Sequence, residues 1–315
     1  MAIGSGIGSS LGIATETTFN TGVTVSRFYE FTSESTTYNK NVSVGMGLRA
    51  GGVLPRSQRR VVTTFDASGD IVLDLPTRGL GLLLAHATSS FPAKVGNSFT
   101  FTLGDPYGKS FTAQVGVPQY GGTVTPKTLT GCKISSFELA VANGEIATGS
   151  FSVDAAGFTT GTALATPSYA LAGSVFNFAQ GALTVAGSPV ANIKSFAMTV
   201  DNTLKTDRYN LGSAGAKSEQ TNNGFRQITG TVVAEFTDTT LLTRFLADTE
   251  TALSLTLTAS ATEVLQITIS AAKFDGEAPQ VAGPETIDVE FTFTAYDNGT
   301  DSPLTIVYTT PDASL

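Results

Sequence analysis

One histidine, His86, and one cysteine, Cys132, carry most of the nucleophilic and metal-binding chemistry open to this 315-residue chain. A Ser-His-Asp or Cys-His device needs a base beside the nucleophile and an acid to orient it. His86 lies in Leu82-Leu-Leu-Ala-His-Ala-Thr88, near a predicted helix end, where an imidazole commonly faces the last carbonyls. No Gly-x-Ser-x-Gly follows a strand to supply a nucleophile. Cys132, in Thr130-Gly-Cys-Lys-Ile134, reads as a small buried hydrophobe, and a lone cysteine excludes both an intrachain disulfide and a Cys-rich zinc site. The glycine clusters at Gly4–Gly8 and Gly45–Gly51 lack the strand-turn-helix setting and the Gly-Lys-Ser/Thr ending of a phosphate cradle. Asp70/Asp74 and Asp288/Glu290 fall on the wet faces of predicted strands, where carboxylates are solvated. Asp297-Asn-Gly-Thr-Asp301 is a turn signal before it is a calcium site. No catalytic, cofactor-binding or metal-ligating set emerges, and no enzyme is expected.

Composition narrows the field further. With 18 Lys+Arg against 26 Asp+Glu the net charge is −8, the wrong sign for a protein that holds nucleic acid through its phosphates. The 41% hydrophobic content argues for a packed core. The first dozen residues lack the basic and apolar regions of a secretory signal. The most apolar run, Leu80–Ala87, is far short of the roughly 20 residues that cross a bilayer. A soluble product made in the cytoplasm, without a membrane partner, is expected. The glycosylation patterns at Asn41 and Asn298 then read as chance.

The dominant local pattern has period two. From Thr286 to Thr294 the apolar Ile287, Val289, Phe291 and Phe293 alternate with Asp288, Glu290, Thr292 and Thr294, which predicts a strand with one dry face. Similar alternation starts at Phe99, Phe151, Leu253 and Leu265. Two stretches have helical spacing, Thr77–Thr88 and Asp238–Thr249, the second with Thr237 or Asp238 as N-cap. The chain is therefore mainly β (α+β). A strand precedes each helix and a hairpin follows it, an order that suggests duplication. Ser68–Leu75 aligns with Thr229–Phe236 at an offset of 161, which sets Asp74 on Glu235 and Leu80 on Leu241. The segments starting at Phe99 and Phe111 align with those at Leu253 and Leu265 at an offset of 154. Two copies of one unit, 1–162 and 163–315, are expected, joined in the Gly/Ala/Thr/Pro-rich stretch Gly157–Pro167.

Each copy also carries a long polar loop, Tyr38–Arg60 and Lys205–Arg226. An acidic chain has gathered many of its cations there: Lys40, Arg49, Arg56, Arg59 and Arg60 in the first, Lys205, Arg208, Lys217 and Arg226 in the second. Loops this long inside a compact domain are functional or disordered.

The segments Gly12-Ile-Ala-Thr-Glu-Thr-Thr-Phe-Asn-Thr-Gly22, Arg27-Phe-Tyr-Glu-Phe-Thr-Ser-Glu-Ser35 and Lys133-Ile-Ser-Ser-Phe-Glu-Leu139, the last ahead of Asn143-Gly-Glu145, resemble the major tail tube proteins of long-tailed bacteriophages. The resemblance covers most of the first copy and, more weakly, the second. It implies a structural virion protein with two tandem β-sandwich, barrel-forming domains, each flanked by one α-helix. Rings of such domains stack into a hollow tube for genome delivery; three duplicated chains would give six domains and a trimeric, pseudo-hexameric ring. Implied partners are further copies of the chain and other tail proteins such as tape measure, tail tip and tail terminator. Genomic DNA would transit the lumen without specific binding, past an acidic wet face for which Asp70, Asp74, Glu235, Asp288 and Glu290 are the candidates. The two cationic loops would meet the adjacent ring. Two other classes remain open: a carbohydrate-binding or adhesin-type β-module, which the absence of Trp disfavours, and a depolymerase, which would need a short-period β-helix or a carboxylate pair in a cleft.

Overall fold

The computed structural model describes residues 5–170, 172–281 and 283–315. The first half contains β1 (Ser10–Thr15), β2 (Arg27–Tyr29), β3 (Ser33–Glu34), β4 (Thr37–Val44), β5 (Arg60–Asp74), helix α1 (Gly81–Thr88), β6 (Ser98–Thr102), β7 (Phe111–Pro118), β8 (Val124–Ala142), β9 (Thr148–Ala155) and β10 (Gly157–Thr159). The second contains β11 (Gly181–Val185), β12 (Ser188–Val190), β13 (Ile193–Asp201), β14 (Leu204–Lys205), β15 (Thr221–Asn222), β16 (Gln227–Glu235), helix α2 (Thr240–Leu246), β17 (Thr251–Ser260), β18 (Glu263–Gly276), β19 (Asp288–Ala295) and β20 (Leu304–Thr309). The fold is mainly β, antiparallel and sandwich-like.

Alternation builds the strands as the sequence predicts. In β19, Val289, Phe291 and Phe293 are buried while Asp288, Glu290 and Thr292 face solvent. The helices are shorter than their apolar spacing suggests. Helix α1 is buried along almost its whole length, so its sequence shows little polar face. Before α2, Asp238 accepts the amide of Thr240 at 2.7 Å, satisfying one of the free N–H groups of the first turn.

The strands pair in one order in both halves. In the first, the path runs β2–β1–β7–β8–β9–β5–β4; in the second, β12–β11–β17–β18–β19–β16–β13. Strand β10 adds to β8 as β20 adds to β18. Registers agree as well: Asp70 and Thr231, which the 161-residue offset equates, face Ser152 and Thr292, which hold corresponding places in β9 and β19. One expectation fails. Strands β6 and β7 form no hairpin, so the partner of the β17–β18 hairpin is β7–β8 and not the pair aligned at an offset of 154. The segment between them is drawn aside, with Gly104 N donating to Thr88 O at 2.9 Å and Lys133 Nζ to Pro106 O at 2.7 Å. Strand β6 pairs with β20 of the other half instead.

Strand β8 belongs to two sheets. Its first part lies between β7 and β10, and its second part between β9 and β13. Gly131 marks the bend with φ of +62°, and a Cβ there would meet Ala156 Cβ at 2.9 Å and the Phe19 ring at 3.1 Å. Glu16 reinforces the same corner. Its buried carboxylate accepts Ser110 Oγ at 2.6 Å, Thr112 Oγ1 at 2.9 Å, and the amides of Asn20 and Gly131 at 2.9 Å each. Strain in the left-handed region plus the contact with Ala156 leads to the first prediction. Gly131→Ala lowers unfolding stability by about 2 kcal/mol, read as the denaturant midpoint of the purified chain; an unchanged midpoint would show that the corner tolerates a side chain.

Candidate functional site

Among the described residues the residues suited to chemistry are turned inward. His86 Nε2 lies 3.0 Å from Thr15 Oγ1, its ring against Phe91 and Phe111, and burial pulls its pKa down to about 3. The imidazole bonds across to β1 and not to the helix carbonyls. Cys132 is fully buried, and burial pushes its thiol up. The larger polar features are instead a sheet face, two sheet edges and two loops.

The sheet face comes from β4, β5, β9, the second part of β8, β13, β16, β19 and the end of β18, hydrogen-bonded in that order. One side is the core, through residues such as Ile71, Phe151, Phe137, Val200, Val232 and Phe291. The other is open and polar. Asp74 begins a row across it that continues through Thr148, Ala140, Ala197, Thr231, Thr292 and Asp275. Asp70 shares a row with Ser152, Ser136 and Asp201, and Glu235 stands opposite Asp288 with Glu290 two positions on. All five acidic candidates from the sequence therefore share one side. Sequence reasoning missed others on it, among them Glu138, Asp201 and Asp275, with Asp66 and Asp154 at the end that the second loop covers. The parity of Glu138 between buried Phe137 and Leu139 could have revealed it, but the bulge between Ile134 and Ser136 breaks the alternation upstream. Among the described residues, cations that reach this face are paired: Lys194 to Asp288, Lys273 to Asp248, and Lys217 to Asp66 and Asp154.

The edges are the two ends of that row of strands. Among the described residues β4 pairs with β5 alone, and Lys273–Gly276 of β18 pair with β19 alone. In the middle, β8 and β13 form a ladder across the two halves, with Ser136 opposite Asp201 and Glu138 opposite Thr199. Asn202 locks that joint. Its side-chain amide donates to Ala87 O and to Ile134 O, both at 2.9 Å, and its backbone N donates to Ser135 O at 2.8 Å.

The two cationic loops differ. Tyr38–Val44 and Arg60 belong to the strands β4 and β5, which leaves 45–59 as the loop of a projecting arm. Lys40, Arg49, Arg56, Arg59 and Arg60 lie on it, largely exposed, beside Met46, Leu48, Val53 and Leu54, which are 75% to 103% exposed. The second loop folds back onto the first half. Lys217 is buried between Asp66 and Asp154, 2.5 Å from the latter, and Gln220 Nε2 donates to Asp154 Oδ2 at 2.7 Å. Burial opposes the charge on Lys217, and the two carboxylates outweigh it and hold the pKa above its ordinary value. Lys133 reaches Glu219 at 2.6 Å, Arg226 donates to Gly104 O at 2.6 Å, and Arg208 donates to Glu219 O. Lys205 pairs with Asp207 at the surface. Lys217, Arg226 and the Lys133–Glu219 pair thus hold the halves together, while Arg208 braces the second loop within itself. Removing a buried partner leaves its counter-charges uncompensated. Lys217→Met is expected to cost about 3 kcal/mol in chemical unfolding, and a loss below about 0.5 kcal/mol would mean that the cluster is replaceable.

A search of curated proteins returns no match. The family model described as phage tail tube protein matches residues 6–295, spanning both halves, both edges, the arm and the acidic face. Since that match covers nearly all of the chain, the protein belongs to the phage tail tube protein family and is a structural component of the virion tail.

Proposed function

We propose that the chain is the major tail tube subunit, a tandem duplication of 1–162 and 163–315 in which three copies close into a pseudo-hexameric ring and rings stack into the genome conduit. The observation that carries this reading is the β8–β13 ladder. In the first half, β8 offers its edge to β13 of the second. The end of β18 holds the place of β8, and β4 the place of β13, yet among the described residues neither edge has a further partner within the chain. Repeating the internal joint between copies sets β18 of one against β4 of the next, with Asp275 in the place of Ser136 and Asn39 in the place of Asp201. A head-to-tail joint that closes gives a ring and leaves no edge available for uncontrolled pairing. The open acidic face becomes the lumen wall, where carboxylates repel the DNA backbone and leave it free to slide.

The projecting arm fits ring-to-ring contact. Exposed Leu48, Val53 and Leu54 form an apolar tip of the kind that marks an interaction surface. Arg49, Arg56 and Arg59 surround it with positive charge suited to an acidic surface on the adjacent ring. Tape measure, tail tip and tail terminator proteins are the partners expected at the tube's interior and ends.

Two experiments test these contacts. The double variant Asn39→Cys/Asp275→Cys, oxidised after concentration, is expected to give a non-reducing gel ladder that stops at three chains. Scattered products or no ladder would sink the ring arrangement. The triple reversal of Arg56, Arg59 and Arg60 to Glu is expected to leave the thermal melt unchanged while electron microscopy shows rings that do not elongate. Normal tubes from that variant would remove the arm from the stacking contact.

A further inference from the structure

The chain that leads into the second half completes the first. Residues Ser174–Phe178 lie as a short strand between the segment after β5 and the segment before β9. Phe176 N donates to Leu75 O and Ala147 N donates to Phe176 O, each at 2.9 Å, while Thr77 N donates to Ser174 O at 2.8 Å. Bridges join Pro76 to Val175 and Ile146 to Asn177. The Phe176 side chain is completely buried, and Leu75 and Ala147 beside it are 1% and 0% exposed.

The second half has the same slot, and no segment among the described residues fills it. Phe236 N donates to Ile287 O at 2.8 Å, as Leu75 N donates to Ala147 O at 2.8 Å. The carbonyl of Phe236 and the amide of Ile287, which correspond to the groups that hold Phe176, bond to nothing among the described residues. Phe236 and Ile287 are only half-buried. Helix α2 beside them buries Leu241 alone and leaves Leu246 70% exposed, whereas α1 is covered almost throughout.

The first half also begins with a turn like the one that follows the filled slot. Asn177 caps the 3₁₀ turn Phe178–Gln180, its side chain accepting Ala179 N at 3.0 Å, just before β11. Ser5 caps the 3₁₀ turn Gly6–Gly8, its hydroxyl accepting Ile7 N at 3.4 Å, just before β1. Since β1 and β11 hold equivalent places, Ile3-Gly4-Ser5 correspond to Val175-Phe176-Asn177; Met1–Gly4 lie outside the described residues. The residue sizes are complementary. Where the first slot has Leu75 and Ala147 around a phenylalanine, the second has the larger Phe236 and Ile287, which leave room for a glycine.

We propose that the segment Ile3–Ser5 of one copy adds as a short strand to the slot between Phe236 and Ile287 of the neighbouring copy. This placement rests on the ring reading above. It adds a second joint between copies, at the helix end of the sandwich, away from the β18–β4 edge. The occupant is a second copy of this chain, because the filled slot is occupied by the same connection within one chain.

The test uses the full-length chain under conditions where the wild type assembles. Ser5→Cys/Thr286→Cys, placed as Asn177 is to Ile146, is expected to form disulfides between chains in assembled material. Gly4→Phe should leave the monomer's melt unchanged and reduce tube yield by about tenfold, because it overfills the slot. Adding Phe236→Leu and Ile287→Ala to Gly4→Phe copies the first slot and should restore assembly. Tubes with no Ser5–Thr286 disulfide, or a Gly4→Phe chain that assembles normally, would overturn the placement while the Asn39–Asp275 ladder still reports the ring. Failure of the triple variant to recover would also count against it. A wild-type chain that stays monomeric even with a tail-tip complex would overturn both.

Discussion

The ladder between β8 and β13 removes from water a row of backbone N–H and C=O groups that neither half can satisfy alone. Once that row is paired, the row of strands from β4 to β18 becomes one surface with a dry side and a wet side. The side-chain features follow from it. Asn202 fits where the helix end and the bulge of β8 leave carbonyls without donors, and Lys217 and Lys133 fill the space that opens beside the same joint. Strands that meet edge to edge fix the relative orientation of two domains far more narrowly than a sliding hydrophobic contact does.

The same loop serves two ends in the two halves. The second half turns its loop inward, where buried carboxylates hold Lys217, and it is spent on the joint inside the chain. The first half extends its loop into solvent with apolar residues exposed on it, which suits the inter-ring contact proposed for it. The cations in the two loops are similar in number, yet burial and pairing give them different work. Charge composition alone therefore says little about which loop is free.

Much of the architecture was legible in period and order. The alternation at Val289, Phe291 and Phe293 predicted both a strand and the side that Asp288 and Glu290 occupy. The strand before each helix could be aligned residue by residue, since Asp70 and Thr231 meet equivalent partners. Strand pairing was not legible. Alternation says that Phe99 and Phe101 belong to a strand but not which neighbour it has, and β6 lies against β20, more than 200 residues away. The fate of Lys217 was equally hidden, because a cation within a polar loop carries no local sign of the two carboxylates from β5 and β9 that bury it. Glu138 escaped because the β-bulge shifts parity for one residue, and Glu16 because a four-donor cradle is assembled from three separate segments.

The internal ladder also changes the kinetics of building. When one chain already contains a finished joint, that joint forms during folding at the effective concentration of linked domains, independent of how much protein the cell contains. Only the remaining joints depend on encounters between chains. The proposed ring of three such chains would respond to dilution roughly as a third-order process, where six separate domains would respond as a sixth-order one. In the proposed ring, the tether along residues 160–177 makes nucleation tolerant of scarcity, because half of the joints are already formed within single chains.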